Sequence, residues 1–151
     1  MAQASFNDYP NVYNVPPDSW EKWLRARYDA GKNNSLNTLF MHFFASQQEY
    51  SMACAQEIIK SAFKAVPECH YILLCVPMSK MPESGLSNIF QEMKKNPNKD
   101  SSSTIHDQAV VFVTTRDKHI PVLHIRESKY FTFIRFISYL FKQILMRITF
   151  I

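Results

Sequence analysis

The sequence predicts an α/β domain in which a mixed β-sheet is built around a central β-α-β unit. Two segments, 36–45 and 69–77, are almost entirely apolar, as expected of strands buried on both faces. The segment between them, 49–66, repeats apolar side chains every three or four residues, which is typical of an amphipathic helix. Because a helix linking two buried strands makes a crossover, we expect parallel strands and a right-handed crossover.

The helix of this unit has one apolar and one polar side, and Pro67 ends it. Such a stripe predicts that the helix packs against the sheet. The apolar positions are Met52, Ala55, Ile59, Ala62, Phe63 and Val66, and the polar positions are Gln56, Glu57, Lys60 and Lys64.

Two elements precede the central unit. Residues 1–6 are weakly strand-like, and the turn "NDYPN" follows them. Segment 14–34 predicts a helix, with Asp18 and Glu21 as a capping box and Gly31 as its end. Its aromatic face is either a partner-binding surface or a contact that packs the helix on the core, and we favour the packing contact. This face carries Trp20, Trp23, Leu24, Arg27 and Tyr28.

Three further elements follow the central unit. Segment 82–95 predicts a short helix, and segment 96–104 a polar loop. Segments 108–115 and 120–127 predict two strands joined by the turn "RDKH", which together make an antiparallel hairpin. The inward-facing residues of the short helix are Leu86, Ile89, Phe90 and Met93.

The carboxyl-terminal segment, 128–151, is hydrophobic and basic. It has the length of a membrane span, but Arg135, Lys142 and Arg147 would make insertion costly. Its pattern suits a surface-lying amphipathic helix, and its composition is equally compatible with a strand. We favour a docked tail over a membrane-surface helix, and either of these over a span.

Composition narrows the function classes. The chain has 151 residues, 46% apolar and 20% charged, which indicates one folded domain rather than disorder. Its net charge of +4 comes from scattered basic residues, so a nucleic-acid partner is not expected. The start "MAQASFNDYP" lacks a signal-peptide pattern and the three cysteines form no Cys-x-x-Cys, which together favour a reducing cytoplasmic setting. Only two glycines are present, which counts against nucleotide or coenzyme chemistry.

No catalytic or metal-binding group is predicted from the histidines and cysteines. His119 and His124 have no cysteine or acidic partner close enough in sequence to complete a tetrahedral metal site. His42 falls in a buried strand. Cys69 and His70 are adjacent, so their side chains are expected to point to opposite faces of a strand. Of the three cysteines, Cys54, Cys69 and Cys75, two lie inside apolar runs, where a cysteine is usually a reduced, buried small hydrophobic residue.

The stretch "QEYSMA" connects the first buried strand to the central helix. A turn between a strand and a helix is where many proteins hold phosphates, because unpaired N–H groups and the helix dipole favour an anion. The stretch is therefore either a degenerate phosphate cradle or an ordinary helix start.

The predicted order of elements resembles the later two-thirds of the GNAT fold of N-acetyltransferases. The segments "MAQASFNDYPN", "LNTLFMHFFASQQEYSMACAQEIIKSAFKAVPECHYILLCVP" and "LHIRE" also resemble the amino-terminal region of the cilia- and flagella-associated protein 61 family. This likeness is good over 1–80 and weaker over 81–127, with none beyond Glu127.

The resemblance implies a structural role in a radial-spoke-associated complex of motile cilia and sperm flagella. It also implies a longer family protein, in which this chain begins inside the first GNAT-like segment. We therefore expect an incomplete GNAT-like domain over 1–127 and a divergent hydrophobic tail over 128–151. The expected partners are axonemal and radial-spoke-associated proteins, with no nucleic acid, and membrane contact only through the tail.

The GNAT coenzyme loop is Gln/Arg-x-x-Gly-x-Gly/Ala, and its positions correspond to Gln48, Ser51 and Ala53. Ser51 stands where the first glycine belongs, which adds bulk where a pyrophosphate would approach. The resemblance therefore implies a vestigial loop, with no cofactor, no metal, no catalytic residue and no enzyme activity. The alternative is an acyl-CoA-binding or acetyltransferase domain that uses Gln48, Ser51 and the N–H groups of Met52 and Ala53.

Overall fold

A five-stranded mixed sheet forms the centre of the part of the chain that the structure describes. This computed structural model describes residues 1–96 and 109–121. The strands are β1 (Ala2–Asn7), β2 (Thr38–Ser46), β3 (Tyr71–Pro77), β4 (Gln91–Glu92) and β5 (Ala109–Thr115). Their order across the sheet is β1-β2-β3-β5-β4, and only the β2–β3 pair is parallel. The expected α/β class with a mixed sheet is confirmed.

Four helices and two 3₁₀ turns complete the described part of the chain. The helices are α1 (Trp20–Arg27), α2 (Ser51–Ala65), α3 (Ser84–Ser87) and α4 (Arg116–His119). The 3₁₀ turns Pro17–Ser19 and Gln48–Tyr50 lead directly into α1 and α2. Only α2 is long, and it is the crossover of the predicted central unit.

The β2-α2-β3 unit is confirmed as a parallel crossover. β2 and β3 pair in register from Thr38 with Tyr71 to Met41 with Leu74. Beyond Met41, β2 continues beside β1 alone. Burial on both faces therefore holds only for the first half of β2: Phe43 is 50% exposed, which corrects the expectation of a fully buried strand.

α2 covers one face of the sheet as its apolar stripe predicts. Ala55, Ile59 and Phe63 are each 0% exposed and pack in one cluster with Met41 and Ile72 of the strands. Fully burying an Ile or Phe side chain contributes roughly 1.5–3 kcal/mol, so this stripe holds the crossover in place. The stripe is shorter than predicted, because its end residues are exposed. Met52 is 47% and Val66 37% exposed.

α1 packs in a second apolar cluster, which includes alternate residues of β2 and β3. Trp20 and Leu24 are 3% and 1% exposed, and they contact Phe40 and Leu73 of the strands. The Trp20 and Phe40 rings meet edge to face, with centroids 4.9 Å apart. Because neighbouring strand residues point to opposite faces, α1 and α2 lie on opposite sides of the sheet. The packing interpretation of the aromatic helix is confirmed.

The predicted start and end of this helix are wrong. No side chain caps α1, and Glu21 instead accepts the Ser35 N–H at 2.7 Å. This bond is the main cause that lowers the Glu21 pKa. The helix ends at Arg27, four residues before Gly31, which occupies a turn at φ +50°. Glu21 therefore holds the following loop rather than closing a capping box.

The helix predicted over 82–95 is reduced to the single turn α3. After it, Gln91 and Glu92 form the edge strand β4 beside β5. All four predicted inward residues are buried, but they divide between the two faces of the sheet, because the chain crosses its edge at β4. Leu86, Ile89 and Phe90 pack on the α2 side, and Met93 packs on the α1 side.

The segment "RDKH" is the helical turn α4 and not a tight hairpin turn. β5 lies between β3 and β4 instead of pairing locally. The second strand predicted for the hairpin falls mostly outside the described residues, as do the tail 128–151 and nearly all of the predicted loop 96–104. Within the described ranges, no helix is long and apolar enough to cross a membrane.

Arg116 joins α4 to the end of α2. Its Nη1 donates to the carbonyl oxygens of Phe63, Val66 and Cys69, with the last two at 3.5 and 3.4 Å. The last carbonyl groups of a helix have no intrahelical partner, and a cation there also complements the helix dipole. The Arg116 side chain, directly after β5, thus links that strand to the end of the crossover helix α2.

We expect Arg116→Ala to lower the free energy of unfolding by about 1–3 kcal/mol, because it removes the donor to the Phe63 carbonyl group in the last turn of α2. Urea denaturation followed by far-UV circular dichroism measures this. Lys118→Ala, an exposed change on the same short helix, is the matched control. Equal midpoints for the two variants would contradict the role assigned to Arg116.

Candidate functional site

The stretch "QEYSMA" forms a tightened helix start. The Tyr50 N–H donates to the Gln47 carbonyl at 3.1 Å, and the Ser51 N–H donates to the Gln48 carbonyl. A phosphate cradle presents unpaired N–H groups to its ligand. Two of the amides of this turn are instead bonded to its own carbonyl groups.

Ser51 is pressed against the neighbouring helix α3. It is 6% exposed, and it faces Gly85. A Cβ on Gly85 would lie 2.1 Å from Ser51 Oγ and 2.8 Å from the Ser51 carbonyl carbon, so only glycine fits. The close backbone approach at this helix start is therefore between two segments of the protein itself.

The three residues that correspond to the coenzyme loop are not brought to one surface. Gln48 and Ala53 are exposed, whereas Ser51 is buried. Glu49 adds a negative charge in the turn, which disfavours an anion beside the helix N-terminus. No side chain caps α2. The N–H groups of Met52 and Ala53 belong to the first turn of this helix.

The parallel strands separate next to this helix start. β2 and β3 share four paired positions, ending at Met41 and Leu74, although β2 runs on to Ser46 and β3 to Pro77. Ligands of α/β proteins commonly bind beyond the carboxyl ends of parallel strands. The position of "QEYSMA" is thus compatible with a ligand site, while its local contacts are those of a packed helix start.

Two of the three cysteines, Cys69 and Cys75, have the surroundings of unreactive thiols. Cys69 is 2% exposed and donates its S–H to the Tyr71 carbonyl at 3.2 Å, and burial raises its pKa. Burial raises the pKa of Cys75 to about 12. Thiolates, not thiols, are nucleophiles and metal ligands. His70, the neighbour of Cys69, is exposed.

Two histidines have specific polar contacts. His42 is a packed residue of β2: its Nδ1 lies 2.9 Å from Asn7 Nδ2 and its Nε2 lies 2.6 Å from the Tyr9 carbonyl oxygen. His119 stacks on Phe63 and its Nε2 lies 2.8 Å from Thr114 Oγ1. Burial, then the charge of Lys118, lowers the His119 pKa.

His124 lies outside the described residues. Across residues 1–96 and 109–121, no group of three or more His, Cys, Asp or Glu side chains is arranged to hold a metal ion. Two open clefts are present in that part of the molecule. The α1 cleft, of about 400 Å³, lies between Arg25 and Lys94, and the α2 groove, of about 360 Å³, lies between Lys60 and Lys118.

A match to a family model shows which protein family the chain belongs to. The model for the cilia- and flagella-associated protein 61 N-terminal domain matches residues 1–130. The chain belongs to this family. The resemblance carried by "LNTLFMHFFASQQEYSMA" and its neighbours is confirmed, and the match also covers 81–127, where the likeness was weaker. A cilia- and flagella-associated protein is thereby indicated.

Two residues of this family member act in ways that sequence patterns did not predict. Gly85 permits the close contact with Ser51, and its being one of only two glycines in the chain is the sequence signal that could have pointed to it. Arg116 closes α2 from 47–53 residues away along the chain. A contact at that separation leaves no local pattern, so it was visible only in the fold.

We expect Gly85→Ala to lower the free energy of unfolding by about 1–3 kcal/mol, because the new methyl group overlaps Ser51. In the double variant Ser51→Gly/Gly85→Ala, removal of the Ser51 side chain should recover part of this loss. Urea denaturation of the four proteins in the cycle gives the coupling energy.

The control for this cycle is Gly31→Asn. Gly31 has open space around its Cβ position, and asparagine tolerates its positive φ. This variant should be close to wild type in stability. Additive effects of the Ser51 and Gly85 changes would show that the two residues do not contact each other.

Because the pKa of His119 is lowered, we expect the protein to lose stability as the pH falls below the ordinary histidine pKa of 6.5. Because the folded-state pKa is lowered, the unfolded chain takes up the proton first, and the loss continues until the pH passes the folded value. The charged groups near the ring are Lys118 and Asp117 on α4, together with Lys60 and Glu57 across the groove.

The measurement is the urea midpoint at pH 5.5, 6.5 and 7.5 for wild type and His119→Gln. Wild type should lose more stability between pH 7.5 and 5.5 than His119→Gln does. His70→Gln, which changes an exposed histidine, should follow wild type. Parallel profiles for wild type and His119→Gln would refute a contribution from this ring.

Proposed function

We propose that this chain is a non-catalytic, GNAT-like structural segment of an axonemal protein. It acts through protein–protein contacts in a radial-spoke-associated complex that supports the beating of motile cilia and sperm flagella. The family match over residues 1–130 supports the ciliary assignment. The contact between Ser51 and Gly85 is the observation that carries the non-catalytic part.

The surroundings of Ser51 disfavour a bound coenzyme for steric and electrostatic reasons. A coenzyme pyrophosphate needs free N–H groups and a bare backbone at the helix start. Here the Ser51 N–H is bonded to Gln48, the Ser51 side chain faces α3, and Glu49 adds a negative charge. Each of these features disfavours a bound pyrophosphate.

The sheet supports the GNAT-like part of the proposal. An antiparallel β1–β2 pair precedes a parallel β2–β3 pair linked by a long helix, and the parallel strands separate after Met41 and Leu74. This is the expected order of elements for a GNAT-like central unit. The same packing buries Trp20 and places an apolar cluster on each face of the sheet.

Recruitment to cilia tests the structural role. Tagged full-length chain expressed in multiciliated cells should enrich in axonemes and co-purify with radial-spoke components. Gln48→Ala, which removes the first position of the loop, should be recruited like wild type. Trp20→Ala removes a core side chain, which costs about 3–5 kcal/mol, and should abolish recruitment by unfolding. Absence of wild-type protein from axonemes would refute the proposal.

The second candidate is acyl-CoA binding, which the separation of β2 from β3 beside Gln48 favours. Titration calorimetry of the purified chain with acetyl-CoA tests it. We expect no heat at millimolar ligand. Micromolar binding that the exposed change Ala53→Glu abolishes, with the melting temperature of the variant unchanged, would establish a coenzyme site and overturn the non-catalytic proposal.

A further inference from the structure

The α1 cleft has a buried floor and a rim of long, positively charged side chains. The end of α1 and the chain after β4 are joined by a bridge between Tyr28 and Lys95, and the Asp29 N–H donates to the Lys94 carbonyl at 2.9 Å. The Tyr28 hydroxyl donates to the Ala109 carbonyl at 3.0 Å. Tyr28 is only 3% exposed, so the floor is part of the core.

Three cations and one carboxylate line this cleft. Lys94 and Lys95 are exposed and have no carboxylate partner among the described residues. The Arg25 side chain is 54% exposed, and one of its nitrogens, Nη2, lies 3.3 Å from Glu21 Oε2. Asp29 is the single carboxylate among the lining residues. With three cations against Asp29 and the Glu21 carboxylate that pairs with Arg25, the cleft has an excess of one positive charge.

A buried donor lies beside these cations. Asn33 is 5% exposed, and its Nδ2 has no acceptor within the described part of the chain. Arg25 Nη2 donates to the backbone carbonyl of Asn33 at 3.2 Å, so Asn33 is bonded to a residue that lines the cleft. Three of the four charged groups that line the cleft, Arg25, Lys94 and Lys95, are donors, so a matching ligand supplies acceptors with negative charge.

We propose that the α1 cleft binds an acidic segment of a protein partner, whose Asp or Glu carboxylates pair with Arg25, Lys94 and Lys95. The volume of about 400 Å³ is in the range of ligand-binding clefts, which is about 300–1,000 Å³. The rim cations are exposed on two different segments, so they can engage carboxylates spaced along a peptide.

The cleft does not have the features of a nucleic-acid site. Binding of single strands depends on exposed aromatic side chains for base stacking, and among the described residues that line the cleft the only aromatic one is the buried Tyr28. An acidic peptide needs no stacking platform. The inference rests on the proposed function only in taking the partner to be a protein.

The test measures binding of a fluorescent decamer of glutamate to the full chain by anisotropy at low salt. A glutamine decamer and a single-stranded oligonucleotide of equal charge are the comparison probes. Lys94→Glu/Lys95→Glu should weaken binding of the glutamate peptide by about tenfold or more, because two attractive charges become repulsive. Asp29→Asn should tighten it, because it removes the one repulsive carboxylate.

The control variant Lys64→Glu/Lys80→Glu makes the same change in net charge on two exposed lysines elsewhere. It should bind the peptide within about twofold of wild type. Lys94→Gln/Lys95→Gln, an intermediate loss of charge, gives a second measurement if the reversed variant is poorly folded by circular dichroism.

Three results would overturn the inference. They are absence of glutamate binding at millimolar peptide, equal weakening in the cleft and control variants, and binding of the oligonucleotide as tight and as cleft-dependent as that of the peptide. Axonemal recruitment is measured separately. A protein that is recruited but binds no acidic peptide refutes only this inference, and the opposite result refutes only the proposed function.

Discussion

The short parallel pairing of β2 with β3 is the constraint on which the rest of the molecule depends. Four residue pairs, from Thr38 with Tyr71 to Met41 with Leu74, hold the two strands together. Because successive strand residues point to opposite faces, this pairing creates one core under α2 and another under α1. The crossover helix, its closure by Arg116 and the position of the aromatic helix all follow from it.

The same constraint explains why the helix start lacks the features of a ligand cradle. α2 must return over the sheet directly after β2, and α3 must pass beside its first turn on the way to the edge strand. Gly85 and Ser51 meet at that crossing. Space that a coenzyme would need is thereby used for packing, and the charge of Glu49 adds to the effect.

Elements with a strong apolar period were predictable, because burial of a regular stripe or run dictates both their type and their position. This holds for α2, β3 and the buried Trp20. The capping box predicted at Asp18 and Glu21 does not form. Glu21 instead accepts a hydrogen bond from Ser35, in a loop that the local sequence pattern does not describe. The helix predicted over 82–95 is only one turn long, because pairing of Gln91 with Val113 on β5 competes with helix formation.

The sequence by itself determined the α/β class, the parallel central unit, the family resemblance and the presence of a serine, Ser51, at the start of the central helix. Each of these is encoded in neighbouring residues. The tertiary structure alone decided what those features mean: Ser51 is buried against Gly85, β2 and β3 separate after four pairs, and Arg25 meets Lys94 and Lys95 at one cleft. These contacts join residues distant in the chain, and no local pattern specifies them.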